Sequence, residues 1–200
     1  MANGLRSPLT SRSVHLCIDM QRIFMPDGPW ATPWMGRVLP RVERLVAQRP
    51  EATVFTRFIT PENPEDMPGS WRLYYERWRA ATRRELEPGM LDLVPELARH
   101  APPAVVFDKP VYSAFAGARL AAHLVERAAD ALVVSGAETD VCVLATVLGA
   151  IDHGFRVVLA TDCLCSSSDD CHDALMAVYR SRWSLQVETA DSESILSAWG

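Results

Sequence analysis

Short apolar runs alternate with segments of helical spacing along nearly the whole chain. No other feature limits the possible fold as strongly. The runs "VHLCID" (14–19), "ATVFTRF" (52–58), "AVVFDK" (104–109), "ALVVSG" (131–136), "FRVVLATD" (155–162) and "WSLQVE" (183–188) read as strands. They are short, and most are β-branched or aromatic. Between them, 38–48 carries Val38, Val42, Leu45 and Val46 at helical spacing. Segment 117–129 does so with Leu120, Leu124, Val125 and Ala128, and 140–153 with Leu144, Val147, Leu148 and Ile151. Segment 169–181 presents Ala174, Leu175, Val178 and Tyr179. Most of the strands are too apolar to have a wet face. The pattern therefore predicts a three-layer α/β fold, a parallel sheet covered by helices on both sides. At 200 residues, the chain is long enough for one well-buried domain and short for two. Residues 1–12 read as a short polar tail. Residues 59–90, rich in Pro, Glu and Trp, are too long for an ordinary connection, and are expected to shape a pocket or a subunit contact.

Charge narrows the partners. The net charge is −5, and no basic stripe runs along the chain to track phosphates. The arginines between Arg72 and Arg84 are interrupted by Glu76 and followed by Glu85 and Glu87, the pattern of a solvated helix face. No nucleic acid partner is expected. No apolar run approaches the ~20 residues that span a bilayer, and "MANGLRSPLTSRS" lacks the apolar middle of a signal peptide. The expectation is a cytoplasmic protein with reduced thiols and no membrane partner. The five cysteines form no disulfide framework. Cys163, Cys165, Cys171 and His172 fit no common zinc spacing. Cys17, inside the first strand, reads as buried.

In open parallel sheets, ligands bind beyond the carboxyl ends of the strands. Asp19 closes the first strand, Lys109 the third, and Cys142 stands six residues past Gly136, after the fourth. Taken singly, these residues read as a helix cap, a solvent-facing lysine and a core thiol. Taken together on one rim, they make a chemical set. The Asp can take a thiol proton, the Lys can stabilise charge, and the Cys can attack. With Thr139 or Asp140 as N-cap, Cys142 would fall in a first helical turn, where unpaired N–H groups favour a thiolate and a developing oxyanion. Asp140 would oppose that thiolate unless turned away. Cys142 is accordingly expected to alkylate ahead of the other four cysteines.

Three motifs resemble those of the isochorismatase-like cysteine hydrolases. "CIDMQRIF" holds Asp19, Gln21 and Phe24. "FDKPVYSAF" holds Lys109, followed by a turn and an aromatic. "SGAETDVCVLATVLGAIDHGFRV" has Gly, two residues, Thr, two residues, then Cys-Val. The likeness runs from about residue 12 to 190. It implies a Rossmann-like fold with a six-stranded sheet in the order 3-2-1-4-5-6. It further implies a catalytic triad of Asp19, Lys109 and Cys142, and a non-proline cis peptide at Ala137–Glu138. The N–H groups of Glu138 and Cys142 would form the oxyanion hole. Members that hydrolyse nicotinamide carry an Asp-x-His and a further His after strand two, and bind a metal there. Here that region reads "TRFITPENPEDMPGSW", and the five histidines (His15, His100, His123, His153 and His172) lie elsewhere. No metal and no other cofactor is expected.

Members acting on isochorismate need no cysteine, so a retained cysteine points to C–N cleavage of an amide, ureido or carbamoyl compound through a thioester. The alternatives are a metal-free vinyl-ether hydrolase and a silent or redox-sensing binding member, though no resolving cysteine is near in sequence. Phe24 and Phe115 match pocket-lining positions of the family, and Tyr112 in the turn after Lys109 is grouped with them. Arg57 on strand two could bind a substrate carboxylate and is grouped with the substrate residues, while a structural ion pair is the favoured reading. Trp71, Tyr74, Tyr75 and Trp78 fall at helical spacing. Pocket lining and subunit contact rank equally for this stripe, both above core, with Trp78 assigned to the substrate. A homo-oligomer is expected, with the stripe near its interface.

Overall fold

The computed structural model describes residues 4–200. Its strands are β1 (Val14–Ile18), β2 (Thr53–Phe58), β3 (Val105–Lys109), β4 (Ala131–Ala137), β5 (Arg156–Cys165) and β6 (Val187–Ala190). They form one six-stranded sheet in the order β3-β2-β1-β4-β5-β6, every pairing parallel. The longer helices are α1 (Met35–Gln48), α2 (Gly69–Arg77), α4 (Ala118–Glu126), α5 (Leu144–Asp152) and α6 (Asp169–Ser181), with short α3 (Pro95–Ala98) and α7 (Ser192–Ala198).

The side-chain alternation of each strand divides the core in two. Cys17, Phe55, Val133 and Val158 face one layer, with Val38, Val42, Leu45 and Val46 of α1 and Ile195 of α7. Leu16, Ile18, Val54, Leu132, Val134 and Leu159 face the other, with Leu120, Leu124, Val147, Met176 and Tyr179 of α4, α5 and α6. β1 is buried at every residue because it sits mid-sheet under both layers. The polar leader is fastened to the sheet: Arg6 pairs with Glu188, Arg156 donates to the carbonyls of Ser7 and Pro8, and Leu9 bridges to Trp199.

Several local expectations are corrected. The sixth strand lies at 187–190, not 183–188. Trp183 to Gln186 instead turn off the end of α6, with Trp183 packed on Tyr179 and Leu185 left 84% exposed. Val125 of α4 is 74% exposed and Leu148 of α5 is also exposed, so neither belongs to the core face. β3 is an edge strand, and Val105 and Val106 are exposed. In the 59–90 region, α2 carries the aromatic stripe. Tyr75 is fully buried within the chain's own core, Trp71 and Tyr74 are half-buried, and Trp78 is exposed. The stripe is thus covered mainly by this chain, with core ranked too low for Tyr75. Trp78 and Leu73 are the large apolar residues of this segment left for a neighbouring subunit to cover. Among the described residues no helix is long and apolar enough to cross a membrane.

Buried His15 gives stability a pH dependence. Its Nε2 lies 2.7 Å from the Ser135 hydroxyl, and burial pushes its pKa down to about 3. Below pH 6.5 the unfolded chain binds a proton there that the folded chain does not, so stability falls as pH drops towards that lowered value. Between pH 7.5 and 5.5 the advantage of wild type over His15→Gln in urea unfolding is expected to shrink by about 1.4 kcal/mol. A constant difference would show that His15 protonates freely in the fold.

Candidate active site

The order reverses between β1 and β4, and the carboxyl ends of these strands open a crevice there. Asp19 directly follows β1 in a left-handed conformation (φ 48°), and its carbonyl accepts from Gln21 N–H at 2.8 Å. Asp19 is fully buried. Thr56 of β2 donates its hydroxyl to Asp19 Oδ1 at 2.6 Å, and Lys109 Nζ donates to Oδ2 at 2.6 Å. Lys109 ends β3, two strands from β1. Its stem reaches across the end of β2, where Nζ lies 4.7 Å from the ring centre of Phe58, its register partner. A second bond runs from Nζ to the Val111 carbonyl at 3.2 Å. A buried lysine needs this much compensation to remain charged.

Cys142 approaches the pair from the other side of the crevice. β4 ends at Gly136 and Ala137, and the Ala137–Glu138 peptide is cis. Gly136 has φ +109°, and any Cβ there would lie 2.0 Å from the Ile18 carbonyl oxygen. Only glycine lets β4 pass β1 this closely. Thr139–Val143 then form a π-helical turn leading into α5, with the Glu138 carbonyl accepting from Val141 and Val143 N–H. π-turns inside helices often mark functional positions.

The thiol does not behave as a helix start alone predicts. Burial pushes the Cys142 pKa well above its ordinary value, and the Asp19 carboxylate adds to this. Lys109 opposes the shift without overcoming it. Burial thus favours the neutral thiol over the thiolate. Cys171 is the exposed cysteine and Cys142 is buried, so Cys171 is the thiol that competes with Cys142 for an alkylating reagent. Asp140 is indeed turned away, accepting from Ser166 Oγ at 2.6 Å.

A cavity of about 180 Å3 opens over Cys142, lined by Phe24, Trp30, Tyr74, Trp78, Tyr112 and Glu138 among others. Drug-sized ligands occupy roughly 300–1,000 Å3, so this space suits a single small molecule. Burial raises the Tyr112 pKa, reinforced by Cys142 and Glu138, so the phenol stays protonated. Of the residues assigned to substrate, Phe24, Tyr112 and Trp78 stand at this cavity. Two assignments are corrected. Arg57 makes a two-bond pair with Asp108 (2.8 and 2.9 Å) and a third bond to Asp92, so its guanidinium is taken. Phe115 packs on Gly149, His153 and Phe155, away from the cavity. Trp30, Ser167 and the Glu138 side chain were not anticipated. Trp30 lies in a Pro- and Trp-rich loop without periodicity, which gives a sequence reading nothing to place.

A doubly wound parallel sheet with Asp19, Lys109 and Cys142 gathered at its switch point is an α/β architecture whose candidate site lies between β1 and β4. The chain belongs to the isochorismatase family, whose domain model matches residues 13–192. An uncharacterized isochorismatase family protein PncA of Bacillus subtilis is 38% identical over 73 residues, covering 36% of this chain and 40% of that protein's length. Nicotinamidase 3 of Arabidopsis thaliana is 26% identical over 174 residues, 86% of this chain and 82% of that one. The crystal structure of a cysteine hydrolase from Pseudomonas syringae pv. phaseolicola superposes with a TM-score of 0.82 at 18% identity, covering 97% and 98% of the two chains. That likeness establishes the fold.

The metal site that the resemblance attaches to nicotinamide-hydrolysing members does not fit here. The chain leaving β2 offers Ile59, buried Thr60 and Pro61, with no imidazole. Among the described residues no three His, Cys, Asp or Glu side chains are grouped to hold an ion. Whatever hydrolysis the protein performs is expected to survive exhaustive dialysis against EDTA. Loss on chelation, with recovery on adding Zn2+ or Mn2+, would overturn this.

Proposed function

We propose that the protein is a cysteine hydrolase that cleaves a C–N bond of a small amide, ureido or carbamoyl compound. The observation that carries this reading is the meeting of Asp19, Lys109 and Cys142 under one small cavity, with Lys109 Nζ 2.6 Å from Asp19 and both acting on the thiol. The relative named a nicotinamidase, matched over most of both chains, supports it.

A neutral thiol beside a carboxylate defines the order of events. Asp19 takes the proton from Cys142 as sulfur attacks the carbonyl carbon, and Lys109 keeps the acid–base pair from carrying a net charge into a dry site. The oxyanion forms against the N–H groups of Glu138 and Cys142. The C–N bond breaks as Asp19 returns the proton to nitrogen, and ammonia or an amine departs. Water then attacks the thioester and gives a proton to Asp19. Sulfur leaves and takes that proton back. Atoms and charge close on acid and amine, with no cofactor consumed.

The test is ammonia release across primary amides, ureas and carbamoyl compounds, with intact-mass analysis of the quenched enzyme. An adduct on Cys142 equal to the acyl group is expected with slow substrates. Turnover without any such adduct, and undiminished in Cys142→Ala, would refute the thioester.

A further inference from the structure

The charge lining the cavity is one-sided. Among the described residues that line it, Glu138 is the only carboxylate, and none is a Lys, Arg or His. Lys109, just below, is committed to Asp19 and the Val111 carbonyl. Both hydrogen bonds to the Glu138 carboxylate fall on Oε1, from Ser167 N–H at 2.8 Å and Thr32 Oγ1 at 3.4 Å. Among the described residues, Oε2 accepts no hydrogen bond and no cation pairs with the group. Around it stand the rings of Trp30, Tyr74, Trp78 and Tyr112. Half-buried carboxylates are normally paired, and aromatic faces attract cations. Here both features line one cavity, the combination that suits a cationic guest.

We propose that the non-reacting end of the substrate is a cation, a small ammonium or quaternary ammonium group. Glu138 holds it by charge and the surrounding rings by their faces, while the amide carbonyl lies at Cys142. This rests on the amidase reading for the position of the carbonyl, but the charge preference stands on the cavity alone. A carboxylate-bearing amide of the same size is disfavoured, because it would meet Glu138 with no cation to receive it.

Three amides of similar size separate charge from shape. Betaine amide carries a trimethylammonium group, 3,3-dimethylbutanamide is its neutral isostere, and malonamate carries an anion. In Cys142→Ala, which cannot turn over, calorimetry is expected to show betaine amide binding about tenfold tighter than the isostere, and malonamate weakest. In wild type, kcat/KM for ammonia release should follow the same order. Glu138→Gln keeps the side-chain shape, and should bring the cation-to-neutral ratio close to one in both assays. That ratio cancels any effect the variant has on the chemistry itself. Equal or tighter binding of the neutral isostere overturns the proposal. So does an unchanged ratio in Glu138→Gln, which would leave Glu138 as a brace for Ser167 only. If the cation binds preferentially but no amide yields ammonia, the amidase reading fails and the charge preference stands.

Discussion

Cys142→Ala is expected to abolish hydrolysis, with a loss of about 10³-fold or more in kcat, while the protein remains folded. The thiol is buried in a cavity wall, and removing one sulfur leaves a small void beside space that already exists. Cys142→Ser should fail almost as completely, because Asp19 must then deprotonate a much weaker acid than a thiol. Circular dichroism and urea unfolding check the fold, and ammonia release checks the chemistry. An active alanine variant would move the reaction away from the cysteine and favour an acid-catalysed path through Asp19.

The second large effect belongs to the buried pair. Asp19→Asn is expected to lower kcat by roughly 10²–10⁴-fold, the usual worth of a positioned general acid–base group. It should also destabilise the protein by about 3–5 kcal/mol, because Lys109 would be left buried with half its compensation gone. Lys109→Met keeps the stem over Phe58 and removes the charge. Lys109 is the group that pulls the Cys142 pKa down against burial and Asp19. Its loss should raise the thiol pKa further, and shift the onset of Cys142 alkylation to higher pH. The measurement needs a Cys171→Ser background, since exposed Cys171 would otherwise dominate labelling. An unchanged alkylation profile would show that the lysine does not act on the thiol. The double variant Asp19→Asn with Lys109→Met should recover part of the lost stability, because neither charge is then stranded.

The elements most legible in the sequence were those with a strong period. β1 and β4 are largely apolar runs, β2 is β-branched and aromatic, and α1 has a full apolar stripe, so sheet and covering helix follow from residue type and spacing. Weaker signals misled. "WSLQVE" alternates like a strand, yet Trp183 prefers the face of Tyr179 and carries its neighbours into a turn. Val125 and Leu148 sit one residue from the buried stripe of their helices. Spacing cannot fix a helix's rotation that finely when neighbouring positions are also apolar.

Sequence by itself determined the alternating order of strands and helices, the rim positions of Asp19, Lys109 and Cys142, and the lack of an imidazole after β2. These are local properties, carried by residue type and short spacing. Tertiary structure decided the rest. It brought Lys109 across β2 to Asp19, since register and the Phe58 ring set its path. It turned Arg57 onto Asp108 and Phe115 onto Gly149, away from the cavity. It buried Cys142 beside Asp19, and both push the thiol pKa up against the pull of Lys109. It also set Glu138, which pairs with no cation among the described residues, in one cavity wall with aromatic rings drawn from distant segments. Burial and electrostatic balance are sums over neighbours that only the folded chain brings together, so no reading of spacing could supply them.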